Sequence, residues 1–283
     1  MATCFYRRVS QAVAIVCAAG IFTIAQPASA EVTYKVLSYD DLDGWAEEAH
    51  SDALTVFQDT CRDMRDPDWK TLCAYATQQP DARAFFELLF RSVLIEDGND
   101  ALFTGYFEPE LDGSRVRTAR YRFPVYAMPP EAKRIRPWLT RRDILSSGVM
   151  DGRGLEIVWV DGRELLFHNN SYVFFRNVDQ VPAHKRPLGA MNRSITTMRS
   201  VAVDPKFVTL GSPVWIEKDG KTQLRRLMTA QDIGSAIKGA QRADMFFGTD
   251  EKAGRAAGRL RDLGRMMVLM SIQRAYSLLP EET

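Results

Sequence analysis

Apolar and polar positions divide the chain into two textures. From residue 32 to 99 the spacing is helical: Leu42, Trp45, Ala46 and Ala49 fall at i, i+3, i+4 and i+7, and Ala53, Leu54 and Phe57 carry the stripe into a second helix. Asp41 and Asp43 sit where a helix N-terminus favours negative charge. Residues 81–94, following Pro80, read as a further helix. The polar residues of these segments are scattered as on a solvated face, which predicts a helical layer without chemistry.

Beyond Gly98 the runs shorten and fill with aromatic and β-branched residues. Strands are predicted over 101–108 and 122–126, separated by the turn-forming Asp112-Gly113, and over 155–160, 171–175, 200–203, 214–217, 226–229 and 266–270. Thr140, with Asp143 three residues later, marks the start of a short helix over 140–146. Gly254 and Gly258 weaken a helix over 253–261, whereas 271–279 forms a short terminal one. Short strands punctuated by glycine and proline favour a barrel over an open parallel sheet. The expected fold is mainly β with an N-terminal helical layer.

The first thirty residues change the picture of where the chain works. Arg7 and Arg8, an apolar run over 13–25 and the ending Ala28-Ser29-Ala30 form a secretory signal pattern, with cleavage expected after Ala30. The run is short for a membrane span, and Cys17 lacks the small residue that precedes a lipidated cysteine, so a soluble exported protein is expected. Removal takes the balance from 37 basic against 36 acidic residues to 35 against 36, which offers nothing to a nucleic acid. Cys61 and Cys73 remain. In an oxidising compartment they suit either a disulfide or two buried apolar thiols, and the sequence leaves both open.

Candidate chemistry narrows by elimination. Three histidines, His50, His168 and His184, have no metal-ligand spacing, and there is no G-x-S-x-G, G-x-G-x-x-G or phosphate loop. Carboxylates remain. Most lie in exposed-looking runs, but Asp204, Asp232 and Asp244 each adjoin apolar or aromatic residues. Asp204 before Pro205 suits a simple turn, and Asp232 before Ile233-Gly234 suits either a structural hydrogen bond or a functional one. Asp244 precedes Met245-Phe246-Phe247-Gly248, and desolvation by such neighbours raises a carboxyl's pKa and equips it as an acid.

Several stretches then align with a known pattern: Thr104-Gly105-Tyr106-Phe107-Glu108-Pro109, Gly152 to Val160, Ser171 to Phe175, Ala202-Val203-Asp204-Pro205, Leu210 to Trp215, and Asp232 to Gly239. In content and order they resemble the membrane-bound lytic murein transglycosylase A family, over nearly everything from about residue 102 to 269. The resemblance implies a double-psi β-barrel with three characteristic aspartates, here Asp204, Asp232 and Asp244. It also implies cleavage of the β-1,4 bond between N-acetylmuramic acid and N-acetylglucosamine in peptidoglycan, giving a 1,6-anhydro product without hydrolysis or cofactor.

In that scheme Asp244 is the single acid and base, Asp232 and Asp204 support it, and Thr104, Tyr106 and Lys238 contact the glycan. The location implied is the periplasm, with outer-membrane association. The implied organisation is a signal peptide over 1–30, a helical region over 31–100, the first part of the barrel with a reduced insert over 101–199, the three-aspartate part over 200–270, and a tail over 271–283. The reduced insert is a departure: Val160 is followed by Asp161-Gly162-Arg163-Glu164-Leu165-Leu166 and then at once by the Ser171 stretch, so much of the family's second domain is expected to be missing. A shortened insert weakens binding remote from the scissile bond, which makes a weakened or non-catalytic glycan-binding barrel the second reading. An aspartic-type peptidase ranks third, since no Asp-Thr-Gly or Asp-Ser-Gly is present.

Overall fold

A computed structural model describes residues 31–279 apart from 63, 65–66, 79–80, 136, 162–171, 180, 183–184 and 186. The expected signal peptide and two of the histidines, His168 and His184, lie outside the described residues. No described helix is long and apolar enough to cross a membrane.

The architecture is mainly β with helices packed against it. Nine strands form the principal sheet: β1 (Thr33–Leu37), β2 (Phe90–Glu96), β3 (Leu102–Glu108), β7 (Ser200–Val203), β8 (Pro213–Lys218), β9 (Leu224–Ile233), β10 (Arg242–Thr249), β11 (Arg261–Asp262) and β12 (Gly264–Ser271). A second, three-stranded sheet joins β4 (Gly113–Ser114), β5 (Phe123–Tyr126) and β6 (Glu156–Val160). The helices are α1 (His50–Cys61), α2 (Pro67–Ala76), α3 (Ala82–Leu89), α4 (Arg141–Ser146), α5 (Glu251–Ala257) and α6 (Ile272–Ser277).

The large sheet runs in the order β1-β2-β12-β8-β9-β7-β10-β3-β11. Period-two alternation sorts its side chains onto two faces. Val214 and Ile216 of β8, Met228 and Ala230 of β9, and Met266 and Val268 of β12 share one buried cluster with Phe103, Val201, Val203, Ala243 and Met245. Their neighbours Trp215, Leu227, Met267 and Leu269 face the opposite way, into a cluster with Phe57, Phe85, Phe86 and Phe90 beneath the helices. Each fully buried side chain of this size contributes roughly 1.5–3 kcal/mol. Seven of the nine strands contribute buried side chains to the first cluster and β1 packs partly buried ones against it, but the pairings leave β1 and β11 as edges, and no closed barrel is found among the described residues.

Three expected elements differ. Residues 42–49 form turns rather than a helix, although Leu42 and Trp45 are buried as the stripe required. The predicted helix over 81–94 ends at Leu89, and the chain continues as β2, which pairs with both β1 and β12. Val93 and Ile95 then face the sheet's inner cluster, so burial between neighbours overrides helical spacing. The region before residue 100 is therefore mixed. Residues 172–175 hold no strand: Phe175 makes one bridge to Ala127, while Tyr172 and Phe174 pack against the small core of Tyr126, Ile144 and Met150. Cys61 and Cys73 are joined as a disulfide that ties the end of α1 to α2.

Candidate functional site

Asp244 lies on β10, a strand hidden in the sequence by its polar flanks. Ala243 and Met245 are fully buried in the inner cluster, so Asp244 points to the opposite face. Across the sheet it stands opposite Thr104 of β3 on one side and Ala202 of β7 on the other, and Ala202 in turn stands opposite Asp232 of β9. One cross-strand row thus reads Asp232, Ala202, Asp244, Thr104. A register irregularity between β7 and β9 accompanies the Ala202–Asp232 pairing. Bulges of this kind re-aim side chains, and here Gln231 is buried against α1, where its Nε2 donates to Thr60 Oγ1 at 2.9 Å, while the adjacent Asp232 stays partly exposed.

Thr104 Oγ1 donates to Asp244 Oδ1 at 2.5 Å and accepts from an Arg242 guanidinium nitrogen at 2.8 Å. Arginine only donates, so the hydroxyl's single proton is committed to Asp244. Asp244 Oδ2 has no hydrogen-bond partner among the described residues. Burial holds the Asp244 pKa above its ordinary value, against the opposing pulls of the Thr104 hydrogen bond and the Arg242 charge, with the Asp232 charge adding to the rise. The arrangement is a half-buried carboxyl suited to proton donation.

Tyr106, two residues beyond Thr104, donates its hydroxyl to Asp232 Oδ2 at 3.0 Å, and burial beside that carboxylate drives the phenol's pKa upward. The other oxygen, Oδ1, accepts from the backbone N–H groups of Ala190 and Ile233, both at 2.9 Å. Asp232 is therefore fully oriented, and the Tyr106 ring lies 5.3 Å from that of Phe246.

The other two sequence-derived candidates lie apart from this hydrogen-bonded group. Asp204 is buried, and its carboxylate accepts from the backbone of Lys206 at 3.1 Å and of Gly239 at 3.0 Å. It holds the turn that the Asp-Pro pattern suggested and also ties down the loop before β10. Asp97 accepts from Ala240 at 2.8 Å in the same loop, and Gly239 adopts φ +108°, a conformation that disfavours side chains. Lys238, between two anchored neighbours, is exposed.

Arg242, the loop carrying Ala190, and Gln231 were not singled out from the sequence. Arg242 stands two residues before Asp244 and on the same strand face, a signal that reading 242–249 as a strand would have supplied. The contacts of Ala190 and Gln231 span 42 and 171 positions and have no local signature.

Two family models match the chain: the 3D domain over residues 199–270 and the MltA specific insert domain over residues 102–167. Membrane-bound lytic murein transglycosylase A of Escherichia coli (strain K12) is 35% identical over 116 residues, 38% of this chain and 30% of that protein, so the match spans under a third of the relative's length. A crystal structure of MltA from Neisseria gonorrhoeae superposes with a TM-score of 0.73 at 23% identity, covering 85% of this chain and 93% of that one. E. coli MltA with bound chitohexaose does so with a TM-score of 0.64 at 17% identity, covering 84% and 94%. At these identities the solved structures establish a shared fold. The two family models and the partial match to the E. coli protein identify this chain as a relative of the membrane-bound lytic murein transglycosylase A family, and the solved structures add the shared fold.

Proposed function

We propose that this protein cleaves peptidoglycan glycan strands as a periplasmic lytic transglycosylase, with Asp244 as the one catalytic carboxyl. The observation that carries the reading is the Thr104–Asp244 pair: a carboxyl with raised proton affinity, one oxygen engaged and the other available. The names of the relatives as murein transglycosylases and the chitohexaose bound by one of them support the substrate class.

Asp244 Oδ2 gives its proton to the glycosidic oxygen as the bond from C1 of the muramic acid breaks. The C6 hydroxyl of the same sugar attacks C1 and returns its proton to the carboxylate, which closes the 1,6-anhydro ring and restores the acid. Because the nucleophile is part of the substrate, its effective concentration is high and no second carboxylate is needed to activate water. Asp232 and Tyr106 act as a fixed polar wall, Asp204 holds the approach loop, and Lys238 contacts the glycan from that loop.

The reading also takes the nine-stranded sheet as the family's double-psi barrel and the second sheet as a shortened insert. A short insert favours a weak enzyme or a glycan-binding protein without activity; the 93% coverage of the gonococcal chain weighs against a large loss. Incubating the mature protein with peptidoglycan and analysing the products by mass spectrometry tests the proposal. Anhydromuropeptides that disappear with Asp244→Asn support it, whereas glycan pull-down with no cleavage by the wild type establishes the binding protein instead.

A further inference from the structure

A cavity of about 640 Å³ lies next to the proposed catalytic row. Its wall includes Phe246, which follows Asp244 by two positions on β10, about 7 Å along the strand. It also includes residues 192–197, which continue the loop whose Ala190 N–H holds Asp232 and whose Met191 N–H donates to Gln231 O at 3.3 Å. The third side is the end of α1, with Asp59 and Arg62. Helix α1 packs on the same outer sheet face that Asp244 points to, since Leu227 and Trp215 bury against it there. The cavity and the catalytic row therefore share a face of the sheet and a loop.

Its lining is cationic and rich in hydroxyls. Among the described residues, Arg62 and Lys185 contribute two positive charges against the one carboxylate of Asp59, with Arg193, Ser194, Thr196 and Thr197 in the same wall. Arg62 and Lys185 are exposed and make no ion pair among the described residues. Such a lining selects a ligand with several carboxylates, which guanidinium and ammonium groups bind through charge-assisted hydrogen bonds.

The proposed substrate offers that ligand. Muramic acid carries, on its lactyl group beside the scissile bond, a short peptide with free α- and side-chain carboxylates. Three or four extended residues span about 10–14 Å, enough to reach past Phe246. We propose that this cavity is a subsite for the carboxylate-bearing peptide stem of peptidoglycan. The inference rests on the transglycosylase reading and adds to it a preference for stem-bearing over naked glycan.

The test compares wild type with the double variant Arg62→Glu, Lys185→Glu, on peptidoglycan and on the same material stripped of stems by an amidase. The expected result is a rise in KM of at least about tenfold on stem-bearing strands, with naked strands cleaved as by wild type. An equal change on both substrates, or on neither, overturns the proposal. A binding titration separates its failure from that of the enzyme reading: a soluble stem tetrapeptide is titrated into wild-type protein, beside the same peptide with amidated carboxylates and inorganic phosphate. Binding of the free-acid peptide alone supports the subsite even in a protein without activity. Equal binding of the amidated peptide or of phosphate, or no binding, overturns it.

Discussion

Asp244 and Thr104 face each other across the parallel pairing of β10 with β3, and the threonine hydroxyl donates to the aspartate at 2.5 Å. Thr104 was expected to line the glycan groove, and this contact gives it another part: it fixes which carboxyl oxygen is free. Arg242 completes the relay, because its donation to Thr104 leaves the hydroxyl no other direction for its proton. On the proposed mechanism the protonation of Asp244 depends on Thr104 and Arg242, from two strands, and on the charge of Asp232 on a third.

The pH profile follows from the causes of the Asp244 shift. Donation requires the protonated acid, so activity falls as pH rises through the pKa of folded Asp244. Thr104 lowers that pKa and the Asp232 charge raises it. Thr104→Val is therefore expected to move the alkaline limb to higher pH, and Asp232→Asn to move it to lower pH. A pH–rate series on the three proteins checks the signs; two shifts in one direction contradict the assignment.

Stability should carry the same signature. Asp244 ionises above its ordinary value of 3.8 when folded, so between that value and the raised one the native state holds a proton that the unfolded chain has lost. Stability falls as pH rises through that window, and each tenfold difference in proton affinity costs about 1.4 kcal/mol. Asp244→Asn removes the cost. Its melting temperature is expected to exceed that of wild type at neutral pH and to converge with it in acid below the ordinary aspartate value, as thermal melts at several pH values will show.

Gly105 sits between Thr104 and Tyr106, where a Cβ would meet the Phe247 ring at 2.7 Å and the Ala257 backbone of α5 at 2.9 Å. Gly254 of α5 likewise admits the Phe107 ring, at 2.7 Å from its would-be Cβ. Gly105→Ala must push α5 off β3 and disturb both flanking contacts to the aspartates. Overpacking of this kind costs about 1–3 kcal/mol. Denaturant titration is expected to register that loss, together with a fall in kcat larger than the change in KM.

The sequence was most legible where alternation and turn chemistry are local. β3, β6, β8 and β12 lie within a residue or two of their expected ranges, and Thr140 and Asp143 form the expected capping box. Residues 90–96 misled because Phe90 and Leu94 continue a helical spacing, and only their pairing with β1 and β12 makes them a strand. The site residues were visible as residue types beside apolar runs, and Gly254, which weakened the helix on propensity grounds, proves to be the point where that helix approaches β3. The relations among the aspartates were not visible, since the cross-strand row depends on a register irregularity between β7 and β9 and on a parallel pairing across 140 positions. The pairing of Cys61 with Cys73, which the sequence left open, follows once α1 and α2 lie side by side.

The central claim is that one carboxyl, Asp244, suffices because the sugar's own hydroxyl replaces water. Its most direct test is the mass of the muropeptides released in heavy-oxygen water by wild type and by Asp244→Asn. The account predicts 1,6-anhydro ends without heavy oxygen from the wild type and no new ends from the variant. Reducing ends carrying heavy oxygen, or undiminished release by Asp244→Asn, would contradict it.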